Sequence, residues 1–408
     1  MAGGNHYIAS IDIGTDKIAV LLAEKDDDRL RIIGHNISPS DGVRKGSISE
    51  IDPLSRAILK ALDQIHKSFK LSPINARVNL SDTHLTCIDG NGKVPINEFV
   101  TADDVEKVLA TASAIPTPAN KSKLHTIKKK FTIDENNIVD NPEGMEAEVL
   151  ESKVHIVTVS SLSMRNIENC LKKCDLEVDR IVLDSIANSE AMLTQEDKDG
   201  GVCLIDFGAG VTSYSVFLEE GIVRSGVIPM GGDDITWEVA RAFDTSFEEA
   251  KRLKDDYGCA KSSAIIVEEF IEFEQAANKD SHYLSSLQLS EVIEEAYIDI
   301  LSTLKNELRH PDNLEANIKS GFVLCGGGAQ ALGCEELVRE FFTRRVKIGV
   351  VQRNRISGPE TILMDYRYAS SIGLLLHQEE DIPQVDLMMS RGRNGVIEKI
   401  KEAIIGNF

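Results

Sequence analysis

Apolar positions along this chain alternate between the two-residue period of strands and the 3.6-residue period of helices, and the alternation divides the sequence into blocks. Residues 7–22 are apolar and β-branched on both sides of Asp12-Ile13-Gly14-Thr15-Asp16, which predicts two strands joined by a tight turn. A third strand is expected over 30–37. A loop with Pro39 and two glycines then leads to Asp52-Pro53, a cap residue and a favoured first helical residue. Leu54, Ile58, Ala61, Leu62, Ile65 and Phe69 follow at helical spacing and form one apolar stripe.

A second copy begins 194 residues later, counting from Asp12 to Asp206. Val202-Cys203-Leu204-Ile205 runs into Asp206-Phe207-Gly208-Ala209-Gly210, strands are expected over 214–217 and 222–228, and Gly231-Gly232-Asp233 opens a helix carrying Ile235, Val239 and Phe243. Strand, Asp-x-Gly turn, returning strand and helix in both halves indicate an internal duplication. Residues 85–150 differ. Short strands (94–96, 126–133 and 154–159) alternate with a helix whose Thr101 and Asp104 make a capping-box pattern, and Asp89-Gly90-Asn91-Gly92 reads as a hairpin loop. Helices are expected over 163–175, 248–257 and 290–308, and an apolar strand at 322–325 runs into Gly326-Gly327-Gly328.

The chain has 408 residues, more than one hydrophobic core ordinarily fills, so more than one domain is expected. Its formal charge of −21 opposes binding to a polyphosphate backbone, which argues against nucleic acid as a partner. Seven cysteines without a CxxC pair read as reduced core residues. Cys170 and Cys174 stand four apart without a second ligand pair for zinc, and His84 and His155 have no nucleophile motif beside them. No leader-like segment opens the chain and no apolar run approaches the roughly 18 residues that span a bilayer, so a cytoplasmic protein is expected. The last segment changes sign. Residues 391–408 carry four basic and two acidic side chains behind a stretch with Glu379, Glu380, Asp381 and Pro383. Val396, Ile397, Ile400, Ile404, Ile405 and Phe408 would collect on one side of a helix, a pattern suited to an anionic membrane surface.

Three glycine-rich turns leave apolar strands: Asp12 to Lys17, Asp206 to Thr212, and Gly326 to Gly328. Glycine lets backbone N–H groups approach phosphate oxygens, and an aspartate there can hold hydrated magnesium. One such turn is common chemistry; three in this order are not. The order resembles the actin, Hsp70 and sugar-kinase ATPase superfamily. Asp12-Ile13-Gly14-Thr15-Asp16-Lys17 is similar to its first phosphate motif, Asp206-Phe207-Gly208-Ala209-Gly210-Val211-Thr212 to its second, and Leu324-Cys325-Gly326-Gly327-Gly328-Ala329 to its adenosine motif. Residues 184–192 and Ala369-Ser370-Ser371-Ile372-Gly373 resemble its two connecting helices. Within the superfamily the chain most resembles the FtsA family of bacterial actin-like division proteins, through Lys153-Val154-His155-Ile156-Val157-Thr158, Val227-Ile228-Pro229, Tyr257-Gly258-Cys259-Ala260 and the tail helix after an acidic linker.

The resemblance implies an α/β, ribonuclease H-like duplicated fold of two lobes with a small α+β insertion. Its parts would be 1–84 and 161–198 in the first lobe, the insertion at 85–160, and the second lobe at 199–368 with a smaller subdomain near 230–318. A closing helix at 369–378, an acidic linker at 379–390 and a membrane helix at 391–408 complete it. It implies ATP or ADP with magnesium, held by Asp12, Gly14, Thr15, Lys17, Gly208, Gly210, Thr212, Gly232, Gly326, Gly327 and Gly328, with Lys254 near the adenine. Asp12 and Asp206 would face magnesium through water, and Asp206 is the candidate for orienting an attacking water. Implied partners are the C-terminal tail of the tubulin-like GTPase FtsZ, other division proteins, further copies of the chain in filaments, and the inner face of the cell membrane. Ala209 and Asp16 depart from the commonest pattern and point to slow hydrolysis, with Lys17 positioned to offset Asp16. The competing readings are a small-molecule kinase on the same fold, which no marked substrate pocket supports, and an actin-like scaffold of pilus or secretion machinery, which would not need an interfacial tail. A complete Hsp70-type chaperone is disfavoured, because the 80 residues after Gly328 are needed to finish the ATPase fold.

Overall fold

The alternating apolar blocks become two sheets of the same design. A computed structural model describes residues 7–378 apart from 27–28 and 278–279; the acidic linker and the amphipathic tail segment of the sequence lie outside the described residues. In the first sheet, Tyr7–Ile13 pairs antiparallel with Lys17–Asp26, which pairs antiparallel with Arg29–Pro39. On its other side Tyr7–Ile13 pairs parallel with Asn75–Leu80, and that strand with Glu177–Leu183. The second sheet repeats the order: Val202–Phe207 pairs antiparallel with Thr212–Leu218, which pairs antiparallel with Gly221–Ile228, while Gly321–Cys325 and Val346–Ile348 add parallel on the far side. The duplication read in sequence is therefore a duplication of sheet topology.

Each sheet is the floor of one lobe, and strands buried on both faces explain the unbroken apolar runs, such as Val202–Phe207, in which every residue is buried. Helix Ile51–Phe69 packs Leu54, Ile58, Ala61 and Ile65 onto the first sheet. It starts one residue before Asp52, because the Gly42 carbonyl accepts the Ser49 and Glu50 N–H groups and fixes the entry of the chain at Glu50. The second lobe surrounds helix Ser286–Arg309, whose Leu289, Ile293, Ile300, Leu301 and Leu304 are buried. Two short helices, Asp184–Met192 and Ala369–Leu376, pack together between the lobes and the cleft above them.

The segment 86–160 forms its own four-stranded antiparallel sheet with one helix, Ala102–Ser113, held at its start by the Thr101–Asp104 capping box. Its strands are longer than the sequence suggests: Thr86–Phe99, Lys121–Ile133 and Glu146–Ser160. The expected hairpin loop at Asp89-Gly90-Asn91-Gly92 is corrected. These residues lie within strand Thr86–Phe99, paired with residues 152–155. The glycines serve the helix above them, since a Cβ on Gly90 would lie 1.9 Å from the Ala112 carbonyl oxygen and one on Gly92 2.1 Å from that of Val108. This unit interrupts the first lobe in sequence but reaches the second in space. The Cys87 thiol lies 3.2 Å from the Ser225 carbonyl, and the Lys130 N–H donates to the Glu220 carbonyl at 3.0 Å.

Candidate functional site

The three turns meet. A cavity of about 180 Å³ opens between the lobes, lined by Asp12, Gly14, Thr15 and Lys17 from the first turn, Asp206, Gly208 and Gly210 from the second, and Gly326 and Gly327 from the third. The duplicated turns face each other closely: a Cβ on Gly210 would lie 2.4 Å from the Thr15 hydroxyl, so only glycine lets the second turn sit against the first. Gly326 has φ +82°, and a Cβ there would fall 2.2 Å from an Asp206 carboxylate oxygen, so this glycine sets both the turn and the room for Asp206.

Three carboxylates converge on the cavity: Asp12, Asp206 and Asp184, the last at the start of helix Asp184–Met192. All three side chains belong to buried residues. Lys17 Nζ donates to Asp12 at 2.5 Å, and Asn79 Nδ2 donates to Asp12 at 2.8 Å and to Asp184 at 3.2 Å. Asn188 Nδ2 donates to Asp206 at 3.0 Å and is itself fixed by the Ser370 hydroxyl at 3.2 Å. Burial holds the Asp206 carboxyl well above the usual carboxylate range, with Asp184 and then Asp12 adding repulsion. Asp12 is also raised, burial and the Asp184 charge outweighing the pull of Lys17. For Lys17 burial is the largest single influence and lowers the pKa, yet Asp12, Asp184 and Asp206 together raise it. This is an anionic cluster with one resident cation, the environment a hydrated dication suits. Among the described residues no three His, Cys, Asp or Glu side chains are arranged to hold a metal directly.

Thr212, Gly232, Lys254 and Gly328 stand outside the cavity lining. Thr212 is fully buried in its strand, and its hydroxyl finds no partner among the described residues. Lys254 Nζ donates to the Gly232 carbonyl at 2.9 Å, and burial lowers its pKa. The Gly328 carbonyl accepts the Tyr297 hydroxyl at 2.8 Å. The side chains of Asp16 and Lys17 have different partners. Lys17 turns inward to Asp12, and Asp16 is met at 3.2 Å by Lys251, on helix Phe247–Tyr257 of the other lobe.

The sequence reading gave no chemistry to Asn79, Asp184, Asn188, Tyr366 or Arg367, all of which line the cavity. Asp184 and Asn188 carried a signal: polar residues four apart on a helix whose remaining face is buried must point at something polar. Asn79 lies one residue before the end of an ordinary strand and carried none.

Two lobes of repeated topology, closed over a carboxylate-lined cleft, define an actin-like protein. Solved structures share the fold at low identity: the PilM–PilN type IV pilus biogenesis complex (TM-score 0.59, 16% identity, 90% of this chain and 97% of that one) and MreB5 of Spiroplasma citri bound to ADP (TM-score 0.54, 13% identity, 91% and 94%). The family model for cell division protein FtsA matches residues 203–373, and that for the SHS2 domain inserted in FtsA matches 83–158. The cell division protein FtsA of Pseudomonas aeruginosa is 32% identical over 98% of both chains, and that of Escherichia coli K12 is 29% identical over 91% of this chain and 90% of its own. The chain belongs to the FtsA family of cell division proteins.

Proposed function

We propose that this chain binds ATP with magnesium between its lobes, polymerises on the inner face of the cytoplasmic membrane at the division site, and there tethers FtsZ by that protein's C-terminal tail. The observation that carries the nucleotide reading is the convergence of three glycine-rich turns and three buried carboxylates on one cavity. Backbone N–H groups of the first two turns would bind phosphate oxygens, and Gly326, Gly327, Tyr366 and Arg367 would flank the nucleoside. Asp12, Asp184 and Asp206 would hold magnesium through water. The ion, when bound, supplies the positive charge that offsets phosphate and carboxylate repulsion. Turnover would be slow, because Ala209 and Asp16 depart from the commonest pattern of the two phosphate motifs.

The test is calorimetry with ATP and magnesium on the parent, Gly327→Val and Asp206→Ala. A Cβ at Gly327 meets nothing nearer than Tyr366 at 3.8 Å, so the fold admits valine there while its branches enter the cavity. Both variants should bind at least about tenfold more weakly, a loss of about 1.4 kcal/mol. Equal affinity in all three sinks the nucleotide reading.

The membrane half rests on the sequence of 391–408, since among the described residues no helix is long and apolar enough to cross a membrane. Six apolar side chains offer about 6 kcal/mol before ordering costs, enough for weak, reversible binding that a polymer multiplies. Ile400→Glu with Ile404→Glu should abolish liposome co-sedimentation and leave ATP affinity unchanged. Sedimentation of the double variant with liposomes would leave the tether without support.

A further inference from the structure

Among the described residues, two of the ion pairs between the lobes lie at the cleft. Lys45, at the tip of the turn between Val43–Arg44 and Ser47–Ile48, reaches the Asp234 carboxylate and the Pro229 carbonyl of the second lobe. Its surroundings are fixed: Gly46 N–H donates to the Thr15 hydroxyl, and Asp234 also accepts the Gly231 N–H at 2.8 Å. The other pair is different. Asp16 projects from the lip of the first phosphate turn and lines the cavity, while Lys251 stands on a helix of the opposite lobe. Neither side chain is enclosed, with 59% and 40% of their surfaces exposed, and each reaches the other only across open cleft. Lys251 has an alternative partner on its own helix, Asp255 at 3.6 Å. It can release Asp16 without losing an ionic contact.

Resting on the nucleotide reading, we propose that the Asp16–Lys251 pair is a gate over the nucleotide cleft: closed, it ties the second lobe to the phosphate turn, and it parts, with Lys251 passing to Asp255, whenever nucleotide enters or leaves. A charge on the lip of a phosphate turn would otherwise repel the ligand; paired across the cleft it becomes part of the closure. Such an exposed pair is weak and screened by salt, so the gate adjusts the exchange rate and does not lock the site.

The experiment measures release of a fluorescent ATP analogue, chased by excess ATP, from the full chain. Asp16→Asn and Lys251→Gln should each speed release by about two- to fivefold, the range for one exposed pair. The double variant should be no faster than either single one, because both break the same contact. Release from the parent should quicken with added salt more than release from the variants. Additive effects in the double variant would overturn the gate, since each residue would then act on the nucleotide separately. Unchanged rates with the same salt response would overturn it too. A second variant does not depend on so small an effect. Asp16→Cys with Lys251→Cys, joined by a short bismaleimide after the analogue has bound, should retain it at least about tenfold longer than the unlinked protein, because the lobes can no longer part. The parent, whose cysteines are buried or half-buried, is the control. Equal release from linked and unlinked protein rejects the gate. If the parent holds no analogue, the nucleotide reading falls and the gate with it; if Gly327→Val alone weakens retention, only the gate falls.

Discussion

The first and second glycine turns repeat one topology and differ in what faces the buried aspartate. Both leave an inner strand of their sheet at an aspartate, and both return into an antiparallel neighbour. In the first, Lys17 opens the returning strand and donates to Asp12. In the second, Thr212 opens the returning strand, and Asp206 accepts from the Asn188 amide, with burial, Asp184 and Asp12 raising its pKa more than Lys17 lowers it. The duplication kept what the fold needs, a glycine turn between two buried strands, and let the electrostatics diverge. One lobe carries its own counter-charge; in the other, burial and the neighbouring carboxylates raise the Asp206 pKa.

The sharpest way to break this asymmetry is Lys17→Met. It leaves Asp12, Asp184 and Asp206 buried together with no cation among them. Removing one partner of a buried pair costs about 3–5 kcal/mol, and the one-quarter exposure of Lys17 reduces that to about 2–3 kcal/mol. Urea unfolding of ligand-free protein should show the loss, and magnesium should restore part of it. A variant as stable as the parent would mean that the carboxylates do not depend on Lys17.

Asp206→Asn acts in the opposite direction. A carboxyl whose pKa is raised on folding contributes stability that is fully present below its unfolded value of 3.8 and is lost as pH rises through the folded value. The ligand-free variant, which has no such loss, should therefore gain on the parent as pH rises from the ordinary carboxylate range toward neutrality. Thermal melts across that range, without magnesium, would show it. A constant difference would mean that Asp206 ionises normally. The same variant should bind magnesium and ATP more weakly, so stability and function separate at this one residue. A smaller effect is expected at Thr212, whose buried hydroxyl finds no partner among the described residues: Thr212→Val should raise stability by about 0.5–1 kcal/mol in the same melts. A loss there would mean that the hydroxyl has a partner.

Most of the fold was legible because it is written in apolar periods. Val202–Phe207 and helix Ser286–Arg309 follow from strand and helix spacing alone. The three turns were legible because glycine and aspartate mark them. What escaped reading depends on tertiary contact. Gly90 and Gly92 look like a loop until the helix that lies on them is known. Asp16 and Lys17 are neighbours in sequence with opposite charges, and pairing them is the obvious inference. Yet Lys17, the first residue of its strand, turns inward to Asp12, while Asp16, still in the turn, stays on the rim and meets Lys251, 235 residues away. Asn79 serves two carboxylates from a position that no local pattern distinguishes.

The smallest expected effect is at Ala209, where the second turn departs from the glycine of the commonest pattern. Its carbonyl accepts the Asp233 N–H at 2.7 Å, and the neighbouring Gly208 carbonyl accepts the Gly232 N–H at 2.9 Å, so the turn is stapled to the start of helix Gly232–Ala242. Ala209 is not among the residues of positive φ, so its methyl costs the backbone nothing and removes freedom from the unfolded chain. Ala209→Gly should therefore lose about 0.4–1 kcal/mol of stability. If the methyl also stiffens the turn against the closure that turnover needs, the variant should release phosphate from ATP somewhat faster than the parent, by about twofold. Melting and steady-state phosphate release on the same preparation separate the two effects. Faster release with lower stability would show that this methyl restrains turnover as well as stabilising the turn. Lower stability with unchanged release would confine the methyl to the fold, and slower release would show that the second turn works by rigidity.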